Sequence, residues 1–142
     1  MKIENNKLII YTDGGARGNP GPAAIGAVLR NEAGESLAEI SEYIGETTNN
    51  QAEYRAVIAA MEKARKLGAE ELKFFIDSEL VVRQLNREYK VRDKELAPLF
   101  MKIYNGAMSF KKVTFQHVRR ELNADADRLV NLALDKEGKS RK

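Results

Sequence analysis

The sequence contains no cysteine, a single histidine (His117) and only three prolines in 142 residues. Without cysteine, disulfides, thiolate metal sites and thiol nucleophiles are excluded. The same absence suits a reducing compartment and leads to an expectation of the cytoplasm. No apolar run approaches the ~20 residues that a membrane span needs. The first residues, Met1 to Lys7, hold no apolar segment of the signal-peptide kind, so neither export nor a membrane is expected. Internal repeats, linkers and low-complexity stretches are also missing.

What remains is the composition of an ordinary globular domain, 43% hydrophobic and 32% charged, with a net charge of +3. A weak positive balance permits a nucleic-acid partner without demanding one. The length suits one compact domain, expected over residues 1–135. Lys136, Lys139, Arg141 and Lys142 surround Gly138, so residues 136–142 are expected to form a basic, disordered tail.

Apolar patterning predicts strands over Lys7–Asp13, Ala23–Arg30 and Ser36–Ile44. Four glycines and two prolines between Gly14 and Pro22 predict a turn-rich loop, and Asn31 to Gly34 a short hairpin connection. A helix should start near Asn49, with Thr48 and Gln51 forming a capping box, and stop at Gly68. Strand four is expected over Leu72–Ile76, and a helix capped by Ser78 should run to Asn86. A further helix is expected over Lys94–Met108, delayed near Pro98, then strand five over Val113–Val118. The last helix is expected over Asn123–Leu134. The order βββαβααβα argues for an α/β architecture, a mixed sheet with helices on both faces.

Four carboxylates stand where local structure does not explain them. Asp13 and Asp77 each close an apolar strand. Glu53 shares an apolar helical stripe with Val57, Ala60 and Ala64, and Asp127 shares one with Val130 and Leu134. A carboxylate on a core-facing stripe is costly unless a charge or a metal meets it. With no cysteine and one histidine, a cluster of oxygen ligands points to a hard cation, Mg²⁺ or Mn²⁺.

Four stretches then carry a family resemblance: Tyr11-Thr-Asp-Gly-Gly-Ala-Arg-Gly-Asn-Pro-Gly-Pro22, Thr47-Thr-Asn-Asn-Gln-Ala-Glu-Tyr54, Phe75-Ile-Asp-Ser78, and His117 to Asp127 with its Asn-x-x-Ala-Asp ending. In that order and spacing the chain resembles type 1 ribonuclease H from about Leu8 to Leu134. The resemblance implies a ribonuclease H-like fold with a five-stranded mixed sheet. It implies that Asp13, Glu53, Asp77 and Asp127 hold two divalent metals, Mg²⁺ with Mn²⁺ as substitute, which activate a water and stabilise the departing 3′ oxygen. It implies an endonuclease that cuts the RNA strand of an RNA–DNA hybrid and leaves 5′-phosphate and 3′-hydroxyl ends. It implies a monomer with no obligatory protein partner.

The resemblance also places residues against substrate. Backbone around Gly15 and Gly18 would approach the strand that bears 2′-hydroxyls. Asn19, Asn49 and Asn50 would read ribose and base edges in the minor groove, and Thr48 would help seat a DNA phosphate. Simple helix capping remains the alternative for Asn49 and Asn50. Glu79 stands where several family members have a glutamine that contacts nucleic acid. Glu121 replaces a loop histidine of many relatives, and His117 is expected to be structural. No basic handle loop separates the second and third helices. Two alternatives stay open: a catalytically weak hybrid-binding module, or a DNA nuclease or transposase-like core of the same fold.

Overall fold

The computed structural model describes residues 6–140. Its strands are β1 (Lys7–Ala16), β2 (Gly21–Arg30), β3 (Ser36–Thr47), β4 (Glu71–Ile76) and β5 (Lys112–His117). Its helices are α1 (Asn49–Lys66), α2 (Glu79–Leu85), α3 (Ala97–Ala107) and α4 (Ala124–Ser140), and a short 3-10 turn, Arg120–Asn123, leads into the last. The sheet order is β3-β2-β1-β4-β5. β1–β2 and β2–β3 pair antiparallel, while β1–β4 and β4–β5 pair parallel. This is the expected five-stranded mixed sheet.

Alternation along the strands sorts side chains to two faces. Leu8 and Ile10 of β1 and Leu72 and Phe74 of β4 join Val57 and Ala60 of α1, Val81 and Leu85 of α2 and Ile103 of α3 in the main core. On the other face α4 lays Val130, Ala133 and Leu134 over Ala24 of β2 and Tyr43 of β3. Both faces are therefore covered.

Two glycines set how closely the helices approach. A Cβ on Gly14 would stand 2.3 Å from the backbone carbon of Ala52 in α1. A Cβ on Gly26 would stand 2.3 Å from the carbonyl oxygen of Ala126 in α4. Since backbone cannot yield as a side chain does, only glycine permits these two helices to lie so near the sheet.

That close approach corrects one expectation. Gly14 and Gly15 do not belong to a loop: β1 continues to Ala16, β2 begins at Gly21, and only residues 17–20 turn. β3 likewise runs three residues past Ile44 to Thr47. α1 starts and stops as expected, with Thr48 Oγ1 accepting the Gln51 N–H at 3.2 Å and Gly68 at φ 81° behind the last turn. α3 begins at Ala97 rather than Lys94, because Pro98 lacks an N–H and fits only a first turn.

The tail expectation is also corrected. α4 extends through Ser140, so Lys136 and Lys139 are helical, while Arg141 and Lys142 lie outside the described residues. Lys, Glu and Asp between Asp135 and Lys139 are tolerated in helices, and a helix already nucleated on the sheet gains one hydrogen bond per added residue. Among the described residues no helix is long and apolar enough to cross a membrane.

Candidate metal centre

Strand register builds the site. The parallel pairing of β1 with β4 ends at Thr12 opposite Ile76. The next residues on the two strands, Asp13 and Asp77, therefore emerge side by side. α1 crosses over Gly14 and brings Glu53, in its second turn, to the same point. Carboxylate oxygens of Asp13, Glu53 and Asp77 lie within 4.8 Å of one another.

Asp13 and Glu53 are buried, each 8% exposed. Burial, then the charges of Glu53 and Asp77, push the Asp13 carboxyl up to about 9. Burial and the charge of Asp77 push Glu53 up to about 7. The donors that hold these groups are neutral. Gly14 N–H donates to Glu53 Oε1 at 3.2 Å. The Ser78 hydroxyl also favours the charged form of Glu53, and its oxygen accepts the Val81 N–H at the start of α2. Asn123 Nδ2 donates to Asp77 Oδ2 at 3.0 Å.

Among the described residues, no lysine or arginine forms an ion pair with any of the three. A buried carboxylate cluster without a cation is unstable as a set of charges. Its all-oxygen donor set fits a divalent hard cation.

The fourth expected ligand stands apart from this tight set. Asp127 is exposed in the first turn of α4, near enough to raise Asp13 but not within the three-residue cluster. Asn131 Nδ2 donates to its backbone carbonyl at 3.2 Å and to its Oδ2 at 3.4 Å. Asp125, two residues earlier, turns away and bonds Arg30 of β2 at 2.5 Å. Helical geometry separates the two by about 200°, and the chain uses that difference.

The expected substrate residues divide into two groups. Asn19 and Asn49 are linked: Asn19 Oδ1 accepts the Asn49 N–H at 3.1 Å, and Asn49 Oδ1 accepts the Ala16 N–H at 2.7 Å. Gly18, at φ +99°, forms the turn that places Asn19, and the Asn19–Pro20 bond is cis. Thr48 caps α1 beside them. Gly15 lies where a Cβ would meet Val130 at 3.5 Å, so it faces α4. Among the described residues the Asn50 side chain makes no hydrogen bond, and Thr48 caps the helix. Glu79, by contrast, pairs along α2 with Arg83 at 3.2 Å.

The sequence as a whole matches the family described as reverse transcriptase-like, over residues 11–133. A ribonuclease H1 isolated from compost by a metagenomic approach is 52% identical, with a TM-score of 0.88 over 93% of this chain and 98% of that one. Its structure in complex with an RNA/DNA hybrid matches with a TM-score of 0.88. The ribonuclease H1 of the halophilic archaeon Halobacterium salinarum is 41% identical, with a TM-score of 0.89 over 92% and 98% of the two chains. The chain belongs to the type 1 ribonuclease H family.

A type 1 ribonuclease H sequence also forms part of a longer relative. A bifunctional protein of Mycobacterium tuberculosis is 44% identical over 130 residues, and that match spans 91% of this chain but only 36% of the relative. For the family, the acidic cluster agrees with divalent-metal use.

Two residues beside the carboxylate cluster carry no signal of that placement in the sequence. The sequence marks Ser78 only as a helix cap, and its effect on Glu53 follows from tertiary placement. Asn123 was recognised only as the first residue of its motif. Among the departures from the family pattern, Glu121 is exposed in the 3-10 turn, with only a long 3.9 Å pairing to Arg119. His117 is exposed, so any structural role rests on its backbone register with Ile76 rather than on its ring.

Proposed function

We propose that this protein is an endonuclease that hydrolyses the RNA strand of RNA–DNA hybrids, with Mg²⁺ as the working ion and Mn²⁺ as a substitute. The observation that carries this reading is the buried cluster of Asp13, Glu53 and Asp77 with Asp127 at its rim. The compost relative solved with a hybrid supports the substrate.

Asp13, Glu53 and Asp77 would hold the metals from below and Asp127 from the open side. Two divalent cations, when bound, supply activation of the attacking water and neutralisation of the departing oxygen. The protein's own part is to fix the carboxylates in place. Gly14 and Asn123 do so with uncharged donors, so no fixed cation competes with a metal, and the carboxylates give up their protons as metal binds.

Substrate selection falls to the β1–β2 turn and the start of α1. The oxygens of Asn19 and Asn49 are held by backbone N–H groups. Their NH₂ groups remain to donate to ribose and base-edge acceptors in the minor groove, beside the backbone of Gly15 and Gly18. Thr48 would seat a DNA phosphate at the N-terminus of α1. Asn50 is free to contact nucleic acid, and Glu79 contributes least because Arg83 engages it. The protein acts as a cytoplasmic monomer in this reading. The reading of a catalytically weak binding module is disfavoured because the carboxylates are assembled rather than scattered.

Analysis of the product ends tests the chemistry. RNA fragments should carry 3′-hydroxyls that a polymerase extends without prior phosphatase treatment. Fragments ending in 2′,3′-cyclic phosphate would contradict it.

A further inference from the structure

Asn123 is 1% exposed and lies just before α4, where the 3-10 turn ends. Its Nδ2 makes two bonds, to the Thr12 carbonyl at 2.9 Å and to Asp77 Oδ2 at 3.0 Å. One amide thus ties β1 at Thr12, the carboxylate just past the end of β4 and the start of α4. Both of its N–H groups are used, and its Oδ1 is buried with no partner among the described residues. Rotating the amide would set Oδ1 against two acceptor oxygens, so the donor orientation is the one the surroundings permit.

An unpaired buried amide oxygen costs stability, and an apolar side chain of similar volume would avoid that cost. The polar residue is therefore retained for its donors. A lysine or arginine would also donate, but its charge would neutralise the cluster and compete with a cation. A neutral donor fixes Asp77 and leaves the carboxylate's negative charge intact.

We propose that Asn123 is a positioning residue for the metal centre. It sets the orientation of the Asp77 carboxylate relative to Asp13 and couples both to the helix that carries Asp127. Asp77 Oδ1, which accepts no hydrogen bond from the described residues, is then the oxygen left for ligation. This rests on the metal-centre reading given above.

The test uses Asn123→Leu, which removes both donors at similar volume, and Asn123→Ser, which keeps one donor. Mn²⁺ binding is measured by calorimetry on the full chain without nucleic acid, together with metal-free melting temperatures. Loss of a residue that orients a metal ligand weakens affinity by about ten- to a hundredfold. That loss is expected for Asn123→Leu with a metal-free melting temperature close to the parent's, and a smaller loss for Asn123→Ser. The half-saturating Mn²⁺ concentration for hybrid cleavage should shift by the same factor. Turnover at saturating Mn²⁺ should recover to within a few-fold, and the KM for hybrid should hold.

Mn²⁺ affinity within twofold of the parent in folded Asn123→Leu would overturn the proposal. Unfolding of both variants would also overturn it, making Asn123 a packing residue. A parent protein that binds no Mn²⁺ would instead overturn the metal-centre reading itself.

Discussion

Asn19 Oδ1 accepts the backbone N–H of Asn49 at 3.1 Å, so the tip of the β1–β2 turn is fastened to the first residue of α1. The bond crosses between the two segments proposed to face the minor groove, and it sets the spacing of their free NH₂ groups. Asn19→Ala removes one of those donors and loosens the other. The expected result is a KM for hybrid raised about tenfold, kcat within a few-fold, and stability lowered by about 1 kcal/mol, as for a lost cap. Steady-state kinetics beside a thermal melt separate the two effects. An unchanged KM in a destabilised protein would assign the pair to capping alone.

Asp127 and Asp125 should differ sharply. Asp127→Asn is expected to lower turnover in Mg²⁺ at least a hundredfold, from misplacing a metal, while the fold survives. Asp125→Asn loses its bond to Arg30 on the surface. It should change turnover only a few-fold and stability by under about 1 kcal/mol. Cleavage assays and melts of both variants decide the matter, and the assignment fails if the Asp125 variant is the inactive one.

The raised carboxylates make metal-free stability fall with pH. Asp13 and Glu53 hold protons to about 9 and about 7 in the folded chain, above their ordinary values of 3.8 and 4.5. A folded state that binds protons more tightly than the unfolded chain is favoured at low pH and loses that advantage as they dissociate. In EDTA the melting temperature should therefore drop between about pH 5 and pH 9 for this reason. Mg²⁺ should flatten the profile, and its affinity should rise over the same range because metal binding displaces those protons. A metal-free melting temperature that climbs through this window would contradict the coupling.

Asp13→Asn offers a second view of the same strain. Asparagine needs no proton to lie buried beside two carboxyls, whereas Asp13 must take one up on folding at neutral pH, so the metal-free melting temperature is expected to rise by a few degrees. Turnover should be lost. Function and stability oppose each other here, as is common where a site concentrates like charge. A destabilised, active variant would show that Asp13 is not at the centre.

Salt dependence addresses the stretch between α2 and α3. Arg87, Lys90, Arg92 and Lys94 are there, but Arg87 lies over the Tyr104 ring at 5.5 Å and the segment forms no extended basic arm. With roughly five phosphate contacts or fewer, the slope of log K against log salt should be shallower than about −5. Titrations of hybrid binding by fluorescence anisotropy measure it. A slope near −9 or steeper would reveal a basic surface that this segment does not supply.

Much of the centre was legible because two apolar runs break at a carboxylate. Tyr11-Thr-Asp13 and Phe75-Ile-Asp77 each run from apolar residues into a carboxylate, and parallel pairing brings the two side by side, although β1 itself continues to Ala16. Glu53 was legible as a charge on an apolar stripe. Gly14 and Gly15 read locally as a loop because turn propensity is local, whereas Gly14 lies where α1, distant in sequence, packs against the strand. The length of α4 was underestimated for the related reason that basic residues and Gly138 suggested a tail, while a packed helix carried them along. Nothing local marks Asn123 as a partner of Asp77, 46 residues away.

The central claim is tested most directly by incubating the purified protein with four labelled duplexes, RNA–DNA hybrid, duplex RNA, duplex DNA and a duplex with one embedded ribonucleotide, in Mg²⁺ or in EDTA. Internal cuts are expected in the RNA strand of the hybrid in Mg²⁺, with none in EDTA and none in duplex DNA. Equal cleavage of the hybrid in excess EDTA, or a preference for duplex DNA, would contradict it.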